Sequence, residues 1–195
     1  MTSLNSGSLR PRIVRPQLSL LFFVSGAVAL VYETVWQRQF ALVFGSAAPA
    51  TAAVLAAYFA GLGAGSVAIG RWARRCERPL RAYALLECGI AIGALTTPLW
   101  LAGAETLYPV IYDSAAMQPA VFVALRLVVA FAVMAMPTFC MGGTLPLLAR
   151  WIDAGERRWG RTAGWLYVVN TAGAALGALC FPFVLFPRLG LAQTL

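Results

Sequence analysis

Five apolar stretches, each long enough to cross a lipid bilayer, limit the folds open to this sequence. They are residues 18–44, 50–70, 82–103, 119–149 and 163–186. A helix rises about 1.5 Å per residue, so about 20 residues cross a hydrocarbon core about 30 Å thick. One small soluble domain could not bury this much apolar surface. The sequence therefore predicts an all-α, multi-pass transmembrane helix bundle of about five spans.

Composition agrees with a membrane protein and argues against several kinds of site. Of the 195 residues, 61% are hydrophobic and 11% are charged, whereas soluble domains are about 25% charged. The chain has no histidine, all its basic residues are arginine, and its four cysteines form no C-x-x-C pair. No metal site and no lysine-bound cofactor are therefore expected. Residues 63–68, GAGSVA, match a dinucleotide fingerprint in spacing only, because no strand precedes them.

The positions of the arginines predict which side of the membrane each connection faces. Twelve of the fifteen lie in three segments, at residues 10–15, 71–81 and 150–161. Because arginine accumulates in cytoplasmic loops, we expect residues 1–17 to form a basic cytoplasmic tail and residues 18–195 to form the transmembrane domain. The basic loops are expected to face anionic lipid headgroups, and no nucleic acid is expected as a partner.

Both ends of the chain suggest alternatives. The N-terminal arginines, the apolar run from Leu18 and the AVA at residues 27–29 also fit a cleaved signal peptide. Four further spans in a consistent orientation favour an uncleaved first span. After Pro187, residues 188–195 turn apolar again, as at the start of a truncated sixth span. We therefore expect the chain to be a fragment or a truncated product of a longer protein.

Small residues spaced four apart predict close packing between helices. The fourth stretch also carries Pro137 and Pro146, and we expect it to bend, or to end early and continue along the membrane surface. Tight packing is the simpler interpretation of the small residues, and a sliding interface for alternating access is the other. The glycines in these positions are Gly61, Gly65, Gly70, Gly89, Gly93, Gly173 and Gly177.

Polar residues inside the apolar stretches form the candidate intramembrane site. Glu33 is expected to pair with Arg38 or with Arg126, because an unpaired charge at the bilayer centre costs at least about 2.5–3.5 kcal/mol. Nearer the arginine-rich side, Glu87 and Asn170 form a second polar layer that could hydrogen-bond across helices. Both layers fit a structural role in helix packing, and both fit a polar cavity that binds a solute.

Four segments of the sequence carry a resemblance to a known family. They read FFVSGAVALVYETVWQRQFALVFGSAAPATAAVLAAYFAGLGAGSVAIGRWA, RPLRAYALLECGI, PTFCMGGTLPLLAR and GRTAGWLYVVNTAGAALGAL. Over residues 21–195, the chain resembles the membrane part of bacterial fused spermidine-synthase-like proteins. In that family, an N-terminal bundle similar to half or all of a major-facilitator unit precedes a soluble aminopropyltransferase-like domain.

This resemblance implies a protein of the bacterial inner membrane, built as a facilitator-like half unit without its sixth helix, with its N-terminus in the cytoplasm. The facilitator signature after the second helix is matched only loosely, by Gly65, Gly70, Arg71, Arg74 and Arg75, and its aspartate is missing. The resemblance also implies a downstream or separate aminopropyltransferase-like domain as partner. No catalytic residue is expected in this chain, because it shows no strand pattern.

Three roles follow from these observations. The chain would be a membrane domain that anchors a spermidine-synthase-like catalytic partner and passes polyamine or a related small solute. Alternatively, it would be half of a facilitator-like transporter of a small solute, with Glu33 and Glu87 facing the cation. The third role is a structural membrane anchor or assembly subunit.

Overall fold

The computed structural model describes residues 10–44, 47–115, 119–153 and 159–190. Every regular element in these ranges is helical, and none of the described residues forms a strand. The elements are α1 (Arg10–Phe44), α2 (Ala47–Ala73), α3 (Pro79–Ala115), α4 (Pro119–Asp153), α5 (Trp159–Cys180), a π-helical turn (Phe181–Leu185) and α6 (Phe186–Leu189). The predicted all-α fold class is confirmed.

Five helical segments within the described residues are long and apolar enough to cross a membrane. They are Pro16–Leu42, Thr51–Ala73, Pro79–Gly103, Leu127–Trp151 and Gly164–Arg188. Each overlaps one of the five apolar stretches of the sequence. By helix length and composition, the chain is a membrane protein.

Two helices extend further than the apolar stretches. α1 begins at Arg10, so residues 10–17 of the expected tail are helical. α3 runs on to Ala115, through most of the connection expected at residues 104–118. Helical hydrogen bonds are local to the backbone and do not need apolar side chains. Hydropathy therefore locates the membrane span but not the helix end.

The fourth span does not end early, because α4 is unbroken from Pro119 to Asp153 with Pro137 and Pro146 inside it. Proline removes a backbone hydrogen bond, and neighbouring helices make this tolerable in membrane bundles. A Cβ added to Gly93 of α3 would lie 2.9 Å from the Pro137 ring. A Cβ added to Gly70 of α2 would lie 3.7 Å from the Pro146 ring. The two prolines thus pack against glycine positions of neighbouring helices.

Helix α1 contacts each of the other four long helices, α2 packs chiefly against α4, and α3 also packs against α4. The larger core cluster has side chains from α1, α2, α3 and α4. It includes Trp36, Phe40, Val54, Tyr58, Leu101, Ala130 and Met134. A second cluster joins α1, α4 and α5 through Leu18, Phe22, Leu148 and Leu166. We call the end of the bundle that holds residues 71–81 and Arg150 the Arg-rich end.

The last described helix ends at Leu189 and is followed by Gly190, which has a positive φ of 72°. This backbone conformation favours glycine, because it has no Cβ. Of the segment expected to begin a sixth span, residues 191–195 lie outside the described residues.

Candidate functional site

Glycines allow the backbones of α2 and α4 to come into direct contact. A Cβ on Gly65 would collide with the carbonyl oxygen of Phe139 in α4. A Cβ on Gly142 would collide in turn with the carbonyl oxygen of Leu62 in α2. Gly61 faces the side chain of Thr138. Small residues on both helices therefore form this interface, and the predictions named only those of α2.

Glycines of α5 and α3 also lie where a neighbouring helix comes close. Gly173 and Gly177 of α5 face the carbonyl oxygens of Phe23 and Ala27 in α1. In α3, a Cβ on Gly89 would lie 3.0 Å from the sulfur of Cys140 in α4. Close approach at small residues is typical of helix association in membranes.

Asn170 of α5 binds α1. Its Nδ2 donates a hydrogen bond to the carbonyl oxygen of Phe22, at 2.9 Å. Gly26 makes room for this contact, because a Cβ there would collide with Asn170. The neighbouring hydroxyl of Thr171 instead donates to the carbonyl oxygen of Tyr167 in its own helix, at 2.9 Å. Only the first of these two polar side chains holds two helices together.

Glu87 of α3 lies in a polar cluster with α1. The hydroxyl of Ser25 donates to Oε1 of Glu87 at 3.3 Å. Tyr83, one turn before Glu87, lies close enough to both side chains to interact with them. No ion pair of Glu87 with an arginine is found among the described residues. The predictions missed Ser25, whose only sequence signal is a hydroxyl within an apolar run.

Glu33 of α1 is buried among aromatic side chains, with 7% of its surface exposed. Nε2 of Gln37, one turn later, donates to Oε1 of Glu33 at 3.1 Å. Tyr58 of α2 lies near Glu33. Trp36 stacks on Tyr32 with ring centroids 5.8 Å apart, and its indole nitrogen has no hydrogen-bond partner in the described part of the chain. Glu33 is thus a buried carboxylate held mainly by an amide.

The expected pair between Glu33 and Arg38 is not formed. The Arg38 guanidinium lies 4.1 Å from the centre of the Phe186 ring and 5.8 Å from that of Phe181, which is a cation–π arrangement. Residues five apart on a helix point about 140° away from each other, whereas residues four apart are neighbours. The side chain of Arg126 lies outside the described residues, so its pair with Glu33 stays a prediction.

The two residues of the second predicted polar layer both contact α1 rather than each other. Glu87 contacts Ser25 and Asn170 contacts Phe22, on neighbouring turns of α1. Glu33 lies eight residues beyond Ser25, or about 12 Å along the helix axis. Within the described ranges, no three His, Cys, Asp or Glu side chains gather as a metal site would require. The arrangement offers two separate carboxylates inside the bundle.

The similar proteins are polyamine aminopropyltransferases. The chain is 31% identical over 196 residues to proteins of that name from two strains of Mycobacterium tuberculosis and from Mycobacterium bovis. The alignment includes 95% of this chain but 34% of each relative, so the chain spans about a third of the length of the curated relatives it matches. No family model matches the chain, and no solved structure does.

Proposed function

We propose that this chain is the membrane domain of a protein related to polyamine aminopropyltransferases and that it anchors an aminopropyltransferase-like catalytic domain to a bacterial inner membrane. The observation that carries this proposal is the 31% identity over 95% of the chain to part of proteins with that name. The five membrane-length helices support an anchoring role. The catalytic domain would lie downstream or on a separate polypeptide.

The experiment is to express the gene with its natural downstream reading frame and to fractionate the cells. Aminopropyl transfer from decarboxylated S-adenosylmethionine to a diamine should sediment with the membranes. Deletion of residues 1–195 should move that activity into the soluble fraction. Activity that stays with the membranes after the deletion would contradict the anchoring role. A reading frame with no Gly-rich α/β domain, together with no co-purifying transferase, would contradict the proposed partner.

In this proposal the Arg-rich end faces the cytoplasm and contacts anionic lipid. The distribution of the arginines supports this orientation. Twelve of the fifteen lie in three segments, and a chain that crosses the membrane at each span would place all three segments on the same side. The described arginines of the turn between α2 and α3 are exposed, as side chains facing headgroups would be. Five spans are an odd number, so a downstream catalytic domain would need one further span to lie on the same side of the membrane as the N-terminus.

A second role, passage of polyamine or a related cationic solute, is favoured by Glu33 and Glu87. Each carboxylate accepts a hydrogen bond. Glu87 forms no ion pair with an arginine among the described residues, whereas the side chain of Arg126, the expected partner of Glu33, lies outside them. A carboxylate inside a bilayer without a protein cation is either protonated or balanced by a bound cation. A protonated amine carries positive charge and donates hydrogen bonds, which matches Glu87 with its neighbours Tyr83 and Ser25. This role agrees with half of a facilitator-like transporter.

Uptake of a labelled diamine into vesicles that contain the chain tests this second role. Glu33→Gln and Glu87→Gln should each lower uptake, because glutamine keeps the shape of the side chain and removes its charge. Glu77→Gln is the matched control, since Glu77 is an exposed carboxylate of the turn after α2. Vesicles with the unchanged chain that take up no diamine would contradict passage. Anchoring alone, the third role, would then be the remaining one.

A further inference from the structure

A concave surface lies at the Arg-rich end of α2. It has a volume of about 450 Å³ and is lined by Ala68, Arg71, Trp72, Arg74 and Arg75. All five side chains are exposed. We propose that this surface binds the phosphate headgroup of an anionic glycerophospholipid, an inference that rests on the proposed contact of the Arg-rich end with anionic lipid.

The helical register brings these residues together. Residues 68, 71 and 72 follow the i, i+3, i+4 spacing of one helix face, and Arg74 and Arg75 come from the turn directly after α2. α2 ends at Ala73, and the turn that follows is held by two hydrogen bonds. The N–H of Arg75 donates to the carbonyl oxygen of Trp72 at 2.9 Å, and that of Cys76 to Ala73 at 3.1 Å. Ala68 is the smallest of the lining residues, so it forms the floor between larger side chains.

The charge of the surface suits a phosphate. A helix C-terminus carries about half a negative charge, which by itself would repel an anion. Three arginines outweigh it, and none of them forms an ion pair with a carboxylate among the described residues, although Glu77 lies in the same turn. The planar guanidinium group of arginine binds phosphate oxygens through two parallel hydrogen bonds. The surface therefore has unused capacity for an anion.

The depth of the surface suits a lipid headgroup. The apolar span Thr51–Ala73 ends at this point, so in a bilayer the surface would lie where the hydrocarbon core gives way to headgroups. Trp72 is 50% exposed here, and tryptophan is enriched at the membrane–water interface. An anion bound at this place would lie in the headgroup layer.

A row of small residues continues from the surface toward the membrane interior. Ala60, Ala64 and Ala68 are all exposed and lie four residues apart, so they share one face of α2. Because these side chains are small, an acyl chain could lie along this face below the arginines. That contact would give the site a preference for a lipid over a free phosphate ion.

Native mass spectrometry of the detergent-purified chain tests the proposal. Phosphatidylglycerol should bind more tightly than phosphatidylcholine. The double variant Arg71→Gln/Arg75→Gln should weaken phosphatidylglycerol binding by about thirtyfold, since each arginine near anionic lipid contributes about a factor of five. The matched control Arg78→Gln/Arg81→Gln removes the same charge from exposed arginines outside the concave surface, and it should change binding by less than about threefold.

A third variant keeps the charge and fills the floor of the surface. Ala68→Leu should weaken phosphatidylglycerol binding while the midpoint of thermal unfolding stays the same, because this side chain is exposed. The Ala68→Leu variant still tests the proposal if the double variant does not fold. Equal losses in the two double variants would show diffuse charge attraction and overturn the proposal. Full displacement of the lipid by an equal concentration of inorganic phosphate would overturn it too, because the site would then bind a free anion.

Discussion

Asn170, Glu87 and Glu33 each accept or donate a hydrogen bond within the membrane-spanning helices, and α1 takes part in every one of these contacts. A polar group without a partner in hydrocarbon costs several kcal/mol. The bonds at Phe22 and Ser25 therefore oppose rotation of α5 and α3 about their own axes. At the residue scale, these contacts fix how the helices face one another.

Asn170→Ala tests this effect at the contact between α1 and α5. The variant loses the hydrogen bond to the carbonyl oxygen of Phe22, and we expect the free energy of unfolding in detergent to fall by about 0.6–1.7 kcal/mol. Thr171→Ala is the control, because its hydroxyl bonds only within α5. A loss of equal size in both variants would mean that the interhelical bond contributes nothing.

The predicted pair between Glu33 and Arg126 calls for a double-mutant cycle. If the pair exists, Glu33→Gln and Arg126→Gln should each destabilise the chain by about 3–5 kcal/mol, because each leaves a buried charge alone. The double variant should be more stable than the sum of the two losses predicts. The measurement is chemical or thermal unfolding in detergent. Additive losses, or a Glu33→Gln variant as stable as the unchanged chain, would rule the pair out.

At the scale of helices, the contact between α2 and α4 depends on glycines that face carbonyl groups. Gly65 and Gly142 each lie against the backbone of the opposite helix. Gly63, in the same part of α2, faces open space. The two glycines of α2 thus differ in surroundings while their positions along the helix are nearly the same.

This difference gives a matched pair of variants. Gly65→Ala would push α2 away from α4, and we expect a loss of at least about 1–3 kcal/mol in unfolding free energy. Gly63→Ala should be neutral or should stabilise the chain by about 0.5–1 kcal/mol, because alanine favours the helix. Unfolding midpoints of the two purified variants in the same detergent measure the contrast. If the Gly65→Ala variant were as stable as the Gly63→Ala variant, that result would contradict the close contact between α2 and α4 at Gly65.

The five spans could be predicted from the sequence because each apolar run reports directly on the solvent around a helix. The contacts between helices could not. Glu33 and Arg38 lie only five residues apart on α1, but their helical positions point them apart. The partner of Glu87, Ser25, lies 62 residues away in sequence, and no local pattern links the two. Likewise, the packing role of Gly142 is visible only from the position of Leu62 in another helix.

At the scale of the whole molecule, large apolar side chains cover the outside of the bundle. Leu85, Leu99 and Phe183 are each more than 70% exposed. In water, a surface of this kind would drive association, whereas lipid tails solvate it as well as a protein core would. The buried polar contacts and the apolar exterior together suit a bundle that is surrounded by lipid.

The topology of the chain in cells is the most direct test of this account. Pairs of fusions, one to alkaline phosphatase and one to a fluorescent protein that matures in the cytoplasm, would be placed after Arg75 and after residue 117. We predict fluorescence without phosphatase activity at Arg75, and phosphatase activity without fluorescence at residue 117, because one membrane-spanning helix separates the two sites. The same reporter active at both sites, or phosphatase activity at Arg75, would contradict a five-span bundle with its Arg-rich end in the cytoplasm.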